Sequence, residues 1–285
     1  MNSTKNKKIY YLKDIGLSHN LSFPNTVGIR VDGLIGDNIV ASTTFKNIIE
    51  KEKKQLVIFC TYNHEKTRIK LLADLYSELM FNGTIKCIIH YPRPHGPLTI
   101  KEKKYLKGIG CVKIYDCGPF EREFKNLKKD LPFLGKNLEK KWETKRSNKT
   151  VALFRWSGFH SHYQLRNRPY SEWEKIEGFL ISRGFRCILF GIDDVLPNKN
   201  GLKDYRGKLT VYGTLKKMSE CSLLISTTSF PPHFCQYFIP CLVLSDPGDV
   251  KNLKKKWGIN NNFIVFDVNK KYLLQMKKFL SKFYN

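Results

Sequence analysis

Apolar residues gather into short consecutive runs separated by longer amphipathic stretches. In the first half the runs are 26–31, 56–60, 85–90 and 112–115, rich in Val, Ile, Phe and Cys. They do not alternate with polar residues at every second position. That pattern belongs to parallel strands buried on both faces. Segments 38–50, 66–80 and 100–107 between them carry helical periodicity. A second series has strand candidates at 151–155, 186–190, 223–226, 241–244 and 263–266. Its helices fall near 172–183, 214–220, 232–238 and 250–257, with a last one at 270–283.

Residues 120–149 lose the alternation. They are charged, contain Pro132 and Gly135, and end in Lys145-Arg146-Ser147-Asn148-Lys149. They read as a helix and then a linker over 132–149. The expected organisation is an α/β chain of two Rossmann-like domains, 1–140 and 148–285, facing a central cleft. The last helix is expected to pack back on the first domain.

Charge changes the picture more than composition does. Fifty Lys and Arg against twenty-five Asp and Glu leave a formal charge of +25 on 285 residues. Such an excess points to anionic partners: nucleic acid, a phosphorylated glycolipid, an acidic membrane face or a nucleotide substrate. The eight cysteines form no CxxC and no zinc-spaced cluster. Most sit in apolar runs, which predicts buried thiols in a reducing compartment and no metal. Met1 to Lys8 lacks an apolar core of the signal type, and the apolar stretch near 234–244 is broken by Gln236 and Pro240. The expected location is cytoplasmic, with peripheral contact at the inner membrane face.

Three loops carry candidate chemistry. The first, Arg30-Val31-Asp32-Gly33-Leu34-Ile35-Gly36-Asp37-Asn38, follows the first clear strand. Gly33 and Gly36 allow a tight turn into a helix opening at Asp37 or Asn38. Asp37 is then either the helix cap or a carboxylate placed to take a proton from a hydroxyl. His90, ending another strand, is the alternative base. The second loop, 156–169, is polar and basic, with Ser161, His162, Arg166 and Arg168 as donors to phosphate. The third runs Ser226-Thr227-Thr228-Ser229-Phe230-Pro231-Pro232-His233. Its hydroxyls and N–H groups suit an anion, although the prolines supply no N–H.

In this order the three loops resemble glycosyltransferase family 9, the lipopolysaccharide heptosyltransferase family. The first matches an Ile-Arg followed by a turn and Gly-Asp, here Ile29-Arg30 and Gly36-Asp37, one residue longer than usual. The second matches a basic residue, Pro and Trp at Arg166, Pro169 and Trp173, and the strand reading Phe185 to Gly191 follows. The third keeps a hydroxyl and His233 but has Thr228 and Phe230 where the family has Asp and Gly.

The resemblance implies a GT-B fold and an inverting, metal-independent sugar transfer without a cofactor. Asp37 would be the base, with Gly33 and Gly36 shaping its loop on the acceptor side. Arg166, Arg168, Ser161, His162, Thr227, Thr228, Ser229 and His233 would bind a nucleotide-diphosphate sugar carrying a heptose or hexose. The acceptor would be a lipopolysaccharide core or another anionic glycan. Two alternatives fit the charge: a phage-type enzyme glycosylating modified DNA bases, and a non-enzymatic nucleic-acid-binding protein.

Overall fold

The computed structural model of the chain describes residues 9–13, 15, 21–33, 35–62, 66–94, 96–118, 132, 149–156, 167–191, 194–245, 263–267 and 272–284. The chain divides into two compact units, Met1–Lys136 and Asn137–Asn285. Segment 250–257 and most of 120–149 lie outside the described residues.

In the first unit, β1 (Ile9–Tyr11), β2 (Thr26–Val31), β3 (Leu56–Tyr62), β4 (Ile85–Arg93) and β5 (Cys111–Asp116) form one sheet in the order β1-β4-β3-β2-β5. Every pairing is parallel. Parallel neighbours need crossovers. Helices α1 (Ile35–Ser42), α2 (Phe45–Glu52), α3 (Lys66–Leu75), α4 (Ser77–Phe81) and α5 (Ile100–Gly108) lie within them. All six residues of β2 are buried, which is why its run shows no alternation. The sheet packs one apolar cluster around Phe23, Val57, Phe59, Ile89 and Leu106.

Two expected helices are each split. The hydroxyls of Ser42, Thr43 and Thr44 donate back to the carbonyls of Ile39, Val40 and Ala41 at 2.7, 2.7 and 2.8 Å. Side chains that compete in this way for helical carbonyls end α1 and let α2 restart. Ser77 does the same to Asp74 (2.9 Å) between α3 and α4.

The second unit contains β6 (Thr150–Phe154), β7 (Arg186–Phe190), β8 (Lys203–Asp204), β9 (Leu223–Thr227), β10 (Cys241–Ser245) and β11 (Phe263–Asp267). They make a parallel sheet in the order β11-β10-β9-β6-β7-β8. Its helices are α6 (Tyr170–Ser182), α7 (Val211–Ser219), α8 (Pro231–Cys235) and α9 (Tyr272–Tyr284). α6 buries Trp173, Ile176, Glu177 and Leu180, one stripe at helical spacing. The last helix, α9, sets Tyr272, Met276 and Leu280 into the same core as Val151, Leu153 and Trp173. Tyr284 closes that contact, its hydroxyl on the Ser222 carbonyl (2.9 Å) and its ring edge-on to Phe185 (5.0 Å).

All eight cysteines are buried thiols. Burial, assisted by the Glu177 charge, pushes Cys187 up to about 12. Burial also drives Cys241 well above its ordinary range.

Strand order reverses at β2 in one sheet and at β6 in the other. Each of these switch strands carries a fully buried arginine within one residue of its carboxyl end, Arg30 just inside β2 and Arg155 just past β6. Arg30 pairs with Asp32 (2.8 Å) and Asp116 (2.9 Å) and donates to Thr61 (3.1 Å) and the Gly96 carbonyl. Arg155 pairs with Glu177 (2.8 Å) and Asp194 (3.2 Å) and donates to the Leu196 and Pro197 carbonyls. A buried charge that loses its partner is costly, whereas a whole buried cluster can be exchanged for neutral groups at little loss. Arg155→Ala should therefore destabilise the second unit by about 3–5 kcal/mol in urea unfolding. Combining Arg155→Met with Glu177→Gln and Asp194→Asn should recover most of that loss.

Candidate functional site

The chain leaves β2 through Asp32 and turns at Gly33, whose φ is +147°. A Cβ there would lie 1.9 Å from Asp37 Oδ2 and 2.2 Å from its Cγ. Only glycine allows the backbone to pass directly beneath that carboxylate. The turn is so short that α1 opens at Ile35, two residues earlier than expected. Asp37 thus lies inside the first helical turn, not ahead of it as a cap. A negative charge there is favoured by the helix dipole by ~0.3–1 kcal/mol.

Neighbouring side chains hold the turn. Asn38, fully buried, donates to the Gly33 carbonyl at 3.3 Å and accepts the Tyr76 hydroxyl at 3.0 Å. Asp32 is committed to Arg30 and to the Gly96 N–H (3.1 Å), and Asp116 accepts the Leu98 N–H (2.8 Å). Asp37, by contrast, is half-buried at the mouth of the turn, beside half-buried Gly36. Among the described residues, Asp32 and Asp116 at this strand end are 7% exposed, whereas Asp37 is half-buried. His90 is 3% exposed, and its ring stands edge-on to Tyr11 at 6.0 Å.

In the second unit, Ser161, His162 and Arg166 lie outside the described residues. Arg168 is bidentate to Glu172, with Nε to Oε2 at 3.1 Å and Nη2 to Oε1 at 2.9 Å. Tyr272 donates to the same carboxylate at 3.0 Å, tying the start of α6 to α9. Burial pushes the Glu172 carboxyl up, but the bonds from Arg168 and Tyr272 outweigh it and leave it below its ordinary 4.5. Burial and the bond to Glu172 push Tyr272 up to about 12.

After β9, Thr227 is buried and Thr228 gives its hydroxyl to Ser245 at 2.8 Å. Ser229 is half-buried. Phe230 sets its ring edge-on to Phe154 at 5.3 Å, over the end of the switch strand. His233 is 6% exposed and uses its backbone N–H on the Phe230 carbonyl (3.2 Å). Two prolines open α8, so its N-terminus is poor in donors. The loop packs as an apolar cap with a few inward hydroxyls. Among the described residues, no three His, Cys, Asp or Glu side chains gather as metal ligands. None of the helices there is long and apolar enough to cross a membrane.

The first two candidate loops thus leave switch strands at their carboxyl ends, where ligands of open α/β sheets bind, and the third leaves β9, the neighbour of β6. No protein-family model matches the chain, and no curated protein matches it. Solved structures do. A glycosyltransferase family 9 protein of Veillonella parvula superposes with a TM-score of 0.53 at 11% identity, covering 94% of each chain. The E. coli ADP-heptose lipopolysaccharide heptosyltransferase II superposes with a TM-score of 0.50 at 10% identity, over 78% of this chain and 85% of that one. The fold is GT-B. The expected α/β fold, with a parallel sheet and its helices in each half of the chain, is the observed one.

Sequence reasoning passed over the charged residues that support the two strand ends: Asp32 and Asp116 in the first unit, and Arg155, Glu177 and Asp194 in the second. One signal was available. Arg30 and Arg155 interrupt or end runs that are otherwise wholly apolar, and a buried arginine requires acids nearby.

Two outcomes follow from this geometry. Gly33→Ala should cost about 1–3 kcal/mol in thermal unfolding through backbone strain and the clash with Asp37. Adding Asp37→Ala should return part of that cost, since the nearest clashing atoms go. A carboxyl held below its unfolded value stabilises the fold above that value, and the gain disappears as pH falls through the lowered one. The wild-type melting temperature should therefore fall more steeply on acidification below 4.5 than that of Glu172→Gln, measured by circular dichroism.

Proposed function

We propose that this chain is a glycosyltransferase moving a sugar from a nucleotide-diphosphate donor to a hydroxyl of an anionic acceptor, with inversion at the anomeric carbon. One observation carries the reading. The Asp37 carboxylate lies over Gly33 in the first turn of α1, at the carboxyl end of a switch strand. The fold likeness to an ADP-heptose heptosyltransferase supports a nucleotide sugar as donor and makes the adenine nucleotide the first to test. The net charge of +25 supports a phosphorylated glycolipid or glycan as acceptor.

In this reading Asp37 takes the proton of the acceptor hydroxyl while its oxygen attacks the anomeric carbon. The bond to the diphosphate breaks on the opposite face, and its electron pair leaves on a phosphate oxygen. Arg166, Ser161 and His162 neutralise that oxygen, together with N–H groups of residues 226–229. Arg168, paired with Glu172, fixes the end of the donor loop more than it carries charge to the ligand. Thr227, Thr228, Ser229 and His233 shape the remaining wall, and Gly33 and Gly36 keep the acceptor side open. Arg166 and the N–H groups of residues 226–229 supply the positive potential for the leaving group, so in this reading the step needs no metal ion.

Asp37→Asn decides the role of the carboxylate, because the amide keeps its shape and loses its basicity. Nucleoside-diphosphate affinity in calorimetry and the melting temperature should stay close to wild type. Release of nucleoside diphosphate from a panel of nucleotide sugars, with a lipopolysaccharide core acceptor, should fall roughly 10²–10⁴-fold. Transfer at the wild-type rate would remove Asp37 as the base. Failure of the wild type to bind any nucleoside diphosphate would remove the reading itself.

A further inference from the structure

Beneath the Gly33 turn the first unit buries a polar pair where an apolar one would pack. Asn38 and Tyr76 are both 0% exposed. Asn38 lies in α1 among the buried side chains of Ile35, Ile39, Val40 and Ala41. Tyr76 stands at the junction of α3 and α4, its ring stacked on Phe45 at 6.0 Å. An amide and a hydroxyl are costlier to bury than hydrocarbon of the same shape, so their hydrogen bonds show what the pair secures.

Those bonds run in one direction, toward the turn. The Tyr76 hydroxyl lies between the two oxygens of Asn38, 3.0 Å from Oδ1 and 3.2 Å from the backbone carbonyl. Burial, with the Cys60 and Cys117 thiols nearby, holds the phenol well above its ordinary range, so it remains the donor. With Oδ1 engaged as acceptor, the amide presents Nδ2 on its other side, and Nδ2 donates to the Gly33 carbonyl at 3.3 Å. The Cys60 thiol reaches the same carbonyl at 3.7 Å. Gly33 is the residue against which the Asp37 carboxylate rests, since a Cβ there would stand 1.9 Å from Oδ2.

We propose that Tyr76 is a positioning residue for Asp37, acting through Asn38 and the Gly33 carbonyl. The assignment rests on the reading of Asp37 as the base. Without the phenol hydroxyl, nothing in this pair decides which end of the amide faces Gly33. Turned over, the amide sets its oxygen against the Gly33 carbonyl, and two acceptors repel. The Gly33 peptide then shifts, and the surface under the carboxylate shifts with it. Tyr76 and Asn38 are buried and lie beneath the turn, so their effect falls on the rate of proton removal and not on substrate binding. A displacement of about 1 Å at a reacting group costs up to roughly 10²-fold in rate.

The test is steady-state transfer by the full chain carrying Tyr76→Phe, Asn38→Leu or both. The donor is the nucleotide sugar of the panel that the wild type turns over fastest, and the acceptor is the lipopolysaccharide core. Tyr76→Phe keeps the ring and its stack on Phe45. It should lower kcat by roughly 10–10²-fold, with both KM values and the nucleoside-diphosphate affinity within about twofold of wild type. Asn38→Leu leaves the phenol hydroxyl buried without a partner, and adding Tyr76→Phe removes that hydroxyl, so the double variant should melt higher than Asn38→Leu. A merely structural role would raise kcat along with that recovered stability. Positioning through one relay instead keeps kcat of the double variant where Asn38→Leu left it. The proposal is overturned if Tyr76→Phe retains the wild-type kcat well below its melting temperature, if its loss appears in KM, or if the double variant regains kcat. An inactive Asp37→Asn beside a fully active Tyr76→Phe overturns the relay alone. A fully active Asp37→Asn, or a wild type that transfers no sugar, overturns the relay and the reading together.

Discussion

A guanidinium cannot shed its charge, so an arginine buried at the end of a central strand obliges the surrounding chain to bring acids to it. This obligation organises both units. Arg30 gathers Asp32 from its own strand end, Asp116 from β5 and the Gly96 carbonyl from the loop after β4. Arg155 gathers Glu177 from α6, Asp194 from the loop after β7, and two carbonyls beyond it. Since these partners belong to different crossovers, each arginine fixes where several loops leave the sheet. The partners differ between the units, while in both the arginine stands within one residue of the switch strand's carboxyl end.

The Gly33–Asp37 turn rests on the first of these clusters. Asp32 pairs with Arg30, while Asp37 is half-buried in the first turn of α1. Asn38 and Tyr76 then lock the turn from below. Placement of this kind is enforced by packing and hydrogen bonds, and it gives the Asp37 carboxylate a defined position over Gly33. The second unit treats its charges differently. Arg168 is already matched by Glu172, so that arginine anchors a loop.

Much of the fold was legible because consecutive apolar residues can mean only a few things. The run 26–31 is β2 residue for residue, and 186–190 is β7. The short strands β1 and β8 were not legible, since three residues beside lysines and two charged residues carry no period. Helix breaks were missed at Ser42, Thr43, Thr44 and Ser77, because a hydroxyl bonding backwards leaves no mark on hydrophobic spacing. The turn glycine and the carboxylate above it could be read from the sequence. The cap formed by Phe230 and the turning of Thr228 toward Ser245 could not, because both depend on strands that meet only in the folded sheet.

The buried cysteines have a consequence of their own. Thiols oxidise, alkylate and exchange through the thiolate, and burial makes that form harder to reach for Cys187 and Cys241. In Cys187 of β7 and Cys241 of β10, sulfur serves as compact, polarisable filling. Its reactivity is latent, held back by the same close packing that keeps each sheet intact, and it returns only when a unit opens.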